Sequence, residues 1–148
     1  MSEKHYDPQM HTAEHILNQT MVRMFGCSRS FSSHLEKKKS KCDYHFSRAL
    51  LEQEVEELQN TINVIIASNR EVTEEQISRS QAEQEYNLGR LPNDVGDTIR
   101  IIRVEGYDAC PCIGTHVANT SEIGQVRIIS TDFAEGVLRI RFKLDRPE

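Results

Sequence analysis

The chain has 148 residues and a mass of 17.0 kDa, with 37% hydrophobic and 28% charged residues. That size and composition predict one folded domain, residues 1–148, and exclude a disordered tail. The longest apolar run, the four residues Val64 to Ala67, is too short to span a bilayer, and Met1 to Pro8 is polar and lacks the apolar stretch of a secretion signal. A cytoplasmic protein without a membrane partner is therefore expected. The net charge of −5 is unevenly spread: residues 1–50 hold 8 basic and 5 acidic side chains, residues 51–90 hold 3 and 9. An anionic partner would meet the N-terminal third. Without a secretion signal, Cys27, Cys42, Cys110 and Cys112 read as reduced thiols or metal ligands.

Asp7-Pro8 predicts the start of a helix, with Asp as N-cap and Pro at the first helical position. It runs to about Phe25, with Gly26 as its stop. Phe31 to Leu35 and Cys42 to Phe46 read as strands joined by the basic turn Glu36 to Lys41. A second helix over about 48–68 carries Leu51, Val55, Leu58, Ile62, Ile65 and Ile66 on one face and glutamates on the rest. Segment 70–91 is polar and fits one short strand and one short helix. Strands follow at 98–104, 125–130 and 137–144, the last two a hairpin turning at Glu135-Gly136. In the final strand Leu138, Ile140, Phe142 and Leu144 alternate with Arg139, Arg141 and Lys143, so one face is buried and the other wet and basic. Early helices and late antiparallel strands without a βαβ rhythm predict an α+β fold: two layers, an antiparallel sheet with helices packed on one face.

Two clusters carry chemistry. His11 and His15, at i and i+4, project from one face of the first helix, a spacing that suits two ligands of one metal. Cys112 and His116 are again four apart, in a glycine-containing loop after a strand. Two His and a distant Cys/His pair make a full tetrahedral set for a soft divalent ion, zinc above all. Cys110, two residues away, is a competing ligand. His11-Thr12-Ala13-Glu14-His15 also satisfies H-x-x-E-H, the inverted zinc-protease motif with Glu14 as general base. That reading leaves Cys112 and His116 without a role.

His11-Thr12-Ala13-Glu14-His15 and Cys112-Ile113-Gly114-Thr115-His116-Val117, followed by Asn119-Thr120-Ser121-Glu122-Ile123-Gly124, resemble the HTAxH and CGGTHVxxTxEIG signatures of alanyl-tRNA synthetase editing domains. The chain is most similar to the short, freestanding AlaX-type editing proteins, and less so to the related second domain of threonyl-tRNA synthetases. The resemblance implies an editing-domain-like fold and a zinc-dependent hydrolase that deacylates mischarged tRNA(Ala), chiefly Ser-tRNA(Ala) and also Gly-tRNA(Ala). It implies His11, His15, Cys112 and His116 as the zinc ligands, and the aminoacylated acceptor end of tRNA as partner. The chain departs from the pattern at Ile113, where the family has Gly; Ile restricts the backbone and adds bulk beside the loop. A zinc-stabilised tRNA-binding module without hydrolase activity is the alternative that this departure supports. Thr12, Ser33 and Thr115 are the side chains expected to line a pocket for the serine hydroxyl. Lys37, Lys38, Lys39 and Lys41 are expected on acceptor-stem phosphates. His34 and His45, on neighbouring strands, are expected near the metal without binding it.

Overall fold

A computed structural model describes residues 7–86 and 96–147. Helix α1 (Pro8–Phe25) begins and ends where its sequence signals stand: the Asp7 carboxylate accepts the Met10 amide at 3.1 Å, and Gly26 closes the helix at φ 69°. Its inner positions are unusual. Beside Met10, Ala13, Ile16, Leu17 and Met21, the polar His11, Thr12, Glu14, His15, Asn18 and Thr20 are also buried. A surface helix buries one stripe; α1 buries most of its circumference, so its polar groups must find partners in other segments. They do: among the described residues no buried side-chain nitrogen or oxygen lacks a hydrogen bond.

Strands β1 (Ser32–His34) and β2 (Ser40–His45) form the expected hairpin. Helix α2 (Glu52–Ala67) starts four residues later than its periodicity predicts, because the Glu54 carboxylate accepts the Leu51 amide at 2.8 Å and fixes the first turn there. The polar segment supplies strand β3 (Val72–Ser78) and helix α3 (Arg79–Glu85); its positions 87–91 lie outside the described residues. Strands β4 (Thr98–Val104), β5 (Asp108–Pro111), β6 (Gln125–Ala134) and β7 (Val137–Asp145) complete the order. Strand β5 was not anticipated: Pro111 reads as a loop residue, and it is tolerated because β5 is an edge strand.

The fold is α+β with every strand pair antiparallel, but the strands divide between two sheets, ordered β1-β2-β7-β6 and β3-β4-β5. The division follows from β4, which is apolar on both faces. Val104 joins the main core with α1, α2, β2, β6 and β7, whereas Ile99 and Ile101 pack with Ala82 of α3 in a small second cluster. In β7 the alternation holds: Leu138, Ile140 and Phe142 are fully buried. Among the described residues no helix is long and apolar enough to cross a membrane.

The Asn18 side-chain carbonyl accepts from the Tyr44 hydroxyl at 2.7 Å and the Ser30 amide at 3.2 Å, joining α1 to the first hairpin. Asn18→Ala leaves both buried donors unanswered and should cost about 2–4 kcal/mol in denaturant unfolding; a loss within 0.5 kcal/mol, roughly the effect of a neutral surface substitution, would contradict this role.

Candidate metal centre

Successive turns of α1 place His11 and His15 on its inner face, each at most 4% exposed. The loop after β5 comes back against that face. One atom each from His11, His15, Cys112 and His116 then lie within 4.8 Å of one another, a group that could hold a metal ion. The rings of His11 and His116 stack at 4.2 Å, and His15 stands edge-on at 5.1 and 4.4 Å from them. The Cys112 thiol is 3.2 Å from His11 Nε2 and 3.5 Å from His116 Nε2. This donor set of imidazoles and one thiol suits zinc.

The neighbours decide which nitrogen each ring presents. His11 Nδ1 lies 3.1 Å from the Thr115 carbonyl, which can only accept, so Nδ1 carries the proton and Nε2 presents its lone pair to the cluster. Thr12 does the same for His116. Its hydroxyl donates to the Pro8 carbonyl at 3.0 Å and accepts the Val117 amide at 3.2 Å, leaving a lone pair for His116 Nδ1–H at 2.9 Å. Thr12 is therefore fully engaged and fully buried, and it orients His116 instead of lining an open pocket. His15 Nδ1 faces the Cys110 thiol at 3.2 Å and Asp108 at 3.7 Å, and Asp108 is itself gripped by both arms of Arg29. Cys110 thus stands with His15 and Asp108 in a second group, behind His15.

The remaining sequence candidates separate. Ser33 comes close: its hydroxyl donates to Glu14 at 2.6 Å and meets Ser30 at 2.9 Å, and Glu14 lies 4.0 Å from His11 Nε2. Thr115 lends its carbonyl to His11, with the residue exposed at the rim. Lys37, Lys38 and Lys39 are exposed in the β1–β2 turn, and Lys41 is half-buried at the start of β2. His34 pairs with Glu36 in solvent and His45 stacks on Phe31 at 3.9 Å, so neither belongs to the cluster. Sequence reasoning missed Arg100, whose guanidinium donates to the Gly114 carbonyl at 2.5 Å and holds the loop from β4; an Arg between Ile99 and Ile101 was the one signal. The second half of the loop motif is scaffold. Glu122 accepts the Ala118 and Asn119 amides, Thr120 bonds the end of α2, and Gly124 sits at φ 90° against the Asp145 carbonyl, where a Cβ would come within 2.1 Å.

Ile113 does not crowd the centre. Its side chain is 59% exposed and its φ is not positive. The close approach falls on the next residue: a Cβ on Gly114 would lie 2.2 Å from His11 Cε1. Burial holds the His116 imidazolium at a pKa of about 3, helped by the neighbouring His11 and Arg100 charges, so the ring is neutral and ready to ligate. Burial also pushes the Cys112 thiol up, so it is protonated at neutral pH.

Two outcomes follow. Gly114→Ala should weaken zinc affinity by about 10–100-fold in competition with a chromophoric chelator, while Ile113→Gly leaves it unchanged; equal affinities would contradict the steric argument. Zinc binding at pH 7 should release one proton per ion, from Cys112, and affinity should fall as pH falls. An indicator-dye titration that finds none, or two, would contradict a single-thiolate centre.

Comparison with known proteins bears on what this centre serves. Residues 99–141 match the threonyl and alanyl tRNA synthetase second additional domain. Over 89% of its length the chain is similar to alanine–tRNA ligases: 32% identical over 136 residues to that of Methanococcus vannielii, 36% over 137 residues to that of Methanococcus maripaludis, and 32% over 139 residues to that of Aeropyrum pernix. The chain spans 15% of the length of each of these relatives. The likeness carried by the two motifs is thus met: this chain is a relative of alanine–tRNA ligases over nearly its whole length, consistent with an alanyl-tRNA editing domain of the AlaX kind.

Proposed function

We propose that this chain is a deacylase of mischarged tRNA(Ala), acting on Ser-tRNA(Ala) and also on Gly-tRNA(Ala), with zinc held by His11, His15, Cys112 and His116. The observation that supports it is the meeting of four metal-type donors from two segments about 100 residues apart, in a chain related to alanine–tRNA ligases. On this reading residues 1–148 act as one editing domain, in the cytoplasm where translation proceeds. Zinc held there would act on the ester as a Lewis acid or would position the amino acid and the 3′ end. The chain does the rest. Thr115 and Thr12 keep His11 and His116 in the tautomers that present Nε2. Arg100 and Gly114 keep the loop close enough for Cys112 to join them.

Discrimination falls to Glu14 and Ser33. The Glu14 carboxylate is 5% exposed and already accepts the Ser33 hydroxyl, so the pair offers acceptors at the edge of the donor cluster. A seryl hydroxyl can donate there and gain a hydrogen bond; an alanyl methyl cannot. One such hydrogen bond to a charged group is worth about 1.5–3 kcal/mol, roughly 10–150-fold in rate. The peptidase reading assigns Glu14 as base but gives the Cys112–His116 loop no part. The reading as a binding module without hydrolysis drew its support from Ile113, whose side chain lies in solvent.

Purified chain assayed on Ser-tRNA(Ala), Gly-tRNA(Ala) and Ala-tRNA(Ala) should release serine at least about tenfold faster than alanine. Cys112→Ala should abolish release, and Ser33→Ala should lower the serine-to-alanine ratio by about tenfold with zinc retained. No release from any of the three by zinc-loaded protein would overturn the proposal in favour of the binding module.

A further inference from the structure

The outer face of the four-stranded sheet carries the charges of β2, β7 and β6 in cross-strand rows. In the middle row Asp43, Arg139 and Asp132 lie opposite one another, and Arg139 grips Asp43 with both arms at 2.7 and 2.9 Å. Toward one end the signs cease to alternate. Lys41 of β2 stands directly opposite Arg141 of β7, and Arg127 of β6 directly opposite Lys143 of β7. Like charges in direct register repel. Arg141 leans back to Asp132 and Arg127 takes Asp145, but Lys41 and Lys143 join no ion pair among the described residues. The exposed turn lysines Lys37, Lys38 and Lys39 lie at this same end, just before β2.

This end is tied to the start of α1, the helix that carries two of the candidate metal donors. Arg146, immediately after β7, donates to the Asp7 carboxylate at 2.9 Å and to the Lys37 carbonyl at 2.6 Å. It thereby ties the last strand, the basic turn and the N-cap of α1 together. His11 stands one helical turn along from Asp7, whose carbonyl accepts its amide at 2.8 Å.

We propose that Lys41, Arg127, Arg141 and Lys143, with the turn lysines, form the docking surface for a double-helical RNA stem whose single-stranded 3′ end reaches the metal centre. Repeating phosphates answer a cluster of positive charge in which Lys41 and Lys143 join no ion pair among the described residues, and an A-form helix is recognised through its backbone and shallow minor groove and not through a deep pocket. The occupant rests on the tRNA partner of the function proposed above, which the deacylase and the binding-module readings share. The surface thereby extends from the turn onto the sheet face, where Arg141 and Lys143 read at first as merely wet.

The test is binding of a fluorescent minihelix RNA, an acceptor stem with its 3′ end, measured across a salt series. Wild-type chain should bind with a steep salt slope. The double variant Lys41→Ala/Lys143→Ala should lose about two units of slope, about one per phosphate contact, and bind at least about tenfold more weakly at low salt. Its melting temperature without RNA should hold or rise, because the like-charged pairs are relieved. Arg48→Ala, beyond the opposite end of β2, should bind as wild type. An unchanged slope in the double variant would overturn the surface, as would binding to phosphatidylserine vesicles with no binding to the minihelix. Serine release measured in the same samples separates the two claims. Variant-sensitive binding without release would fail only the deacylase reading, and release with variant-insensitive binding would fail only the surface.

Discussion

Six polar side chains of α1 lie in the interior, and the interior tolerates them only if other segments answer each one. Their partners come from far along the chain. The Thr115 carbonyl answers His11, the Cys110 thiol and Asp108 answer His15, and His116 and Val117 use Thr12. Ser33 answers Glu14, and Ser30 and Tyr44 answer Asn18. Each partner fixes the position of another element against the helix. The first hairpin, β5 and the loop that follows are thereby drawn to α1 by the same residues that bring the candidate metal donors together.

The electrostatics of the centre follow from that burial. Desolvation favours neutral forms, so His116 is uncharged and the Cys112 thiol keeps its proton. The cations nearby are occupied. Arg29 neutralises Asp108, and Arg100 is taken up by the Gly114 carbonyl and Glu74. His116 and Cys112 are thus neutral donors, suited to a divalent ion that displaces the thiol proton. Glu14 and Ser33 are the polar pair left at the edge of the cluster.

Much of this was legible in the sequence where the signal is local. Asp7-Pro8 and Gly26 mark both ends of α1 because capping depends on a few adjacent residues. Glu135 and Gly136 mark the last hairpin because both adopt positive φ, at 50° and 81°. The i and i+4 spacing of His11 with His15 and of Cys112 with His116 depends only on short stretches of chain. The illegible part is non-local. Thr12 looked like a pocket residue because its partners, His116 and Val117, lie 104 and 105 residues away. Ile113 drew attention as the departure from a glycine pattern, yet the residue that must lack a side chain is Gly114, and only the packing against His11 reveals it. The division into two sheets rests on which face of β4 meets α3, a tertiary choice that alternation alone does not encode.

The central claim is that one thiol and three imidazoles meet at a single ion while Cys110 stays behind His15. X-ray absorption at the zinc edge of the loaded chain tests it most directly, because sulfur and nitrogen scatterers are distinguished by distance, about 2.3 against about 2.0 Å. The account predicts one sulfur and three nitrogens, with the sulfur lost in Cys112→Ala and kept in Cys110→Ala. Two sulfurs, or a sulfur that survives Cys112→Ala, would contradict it.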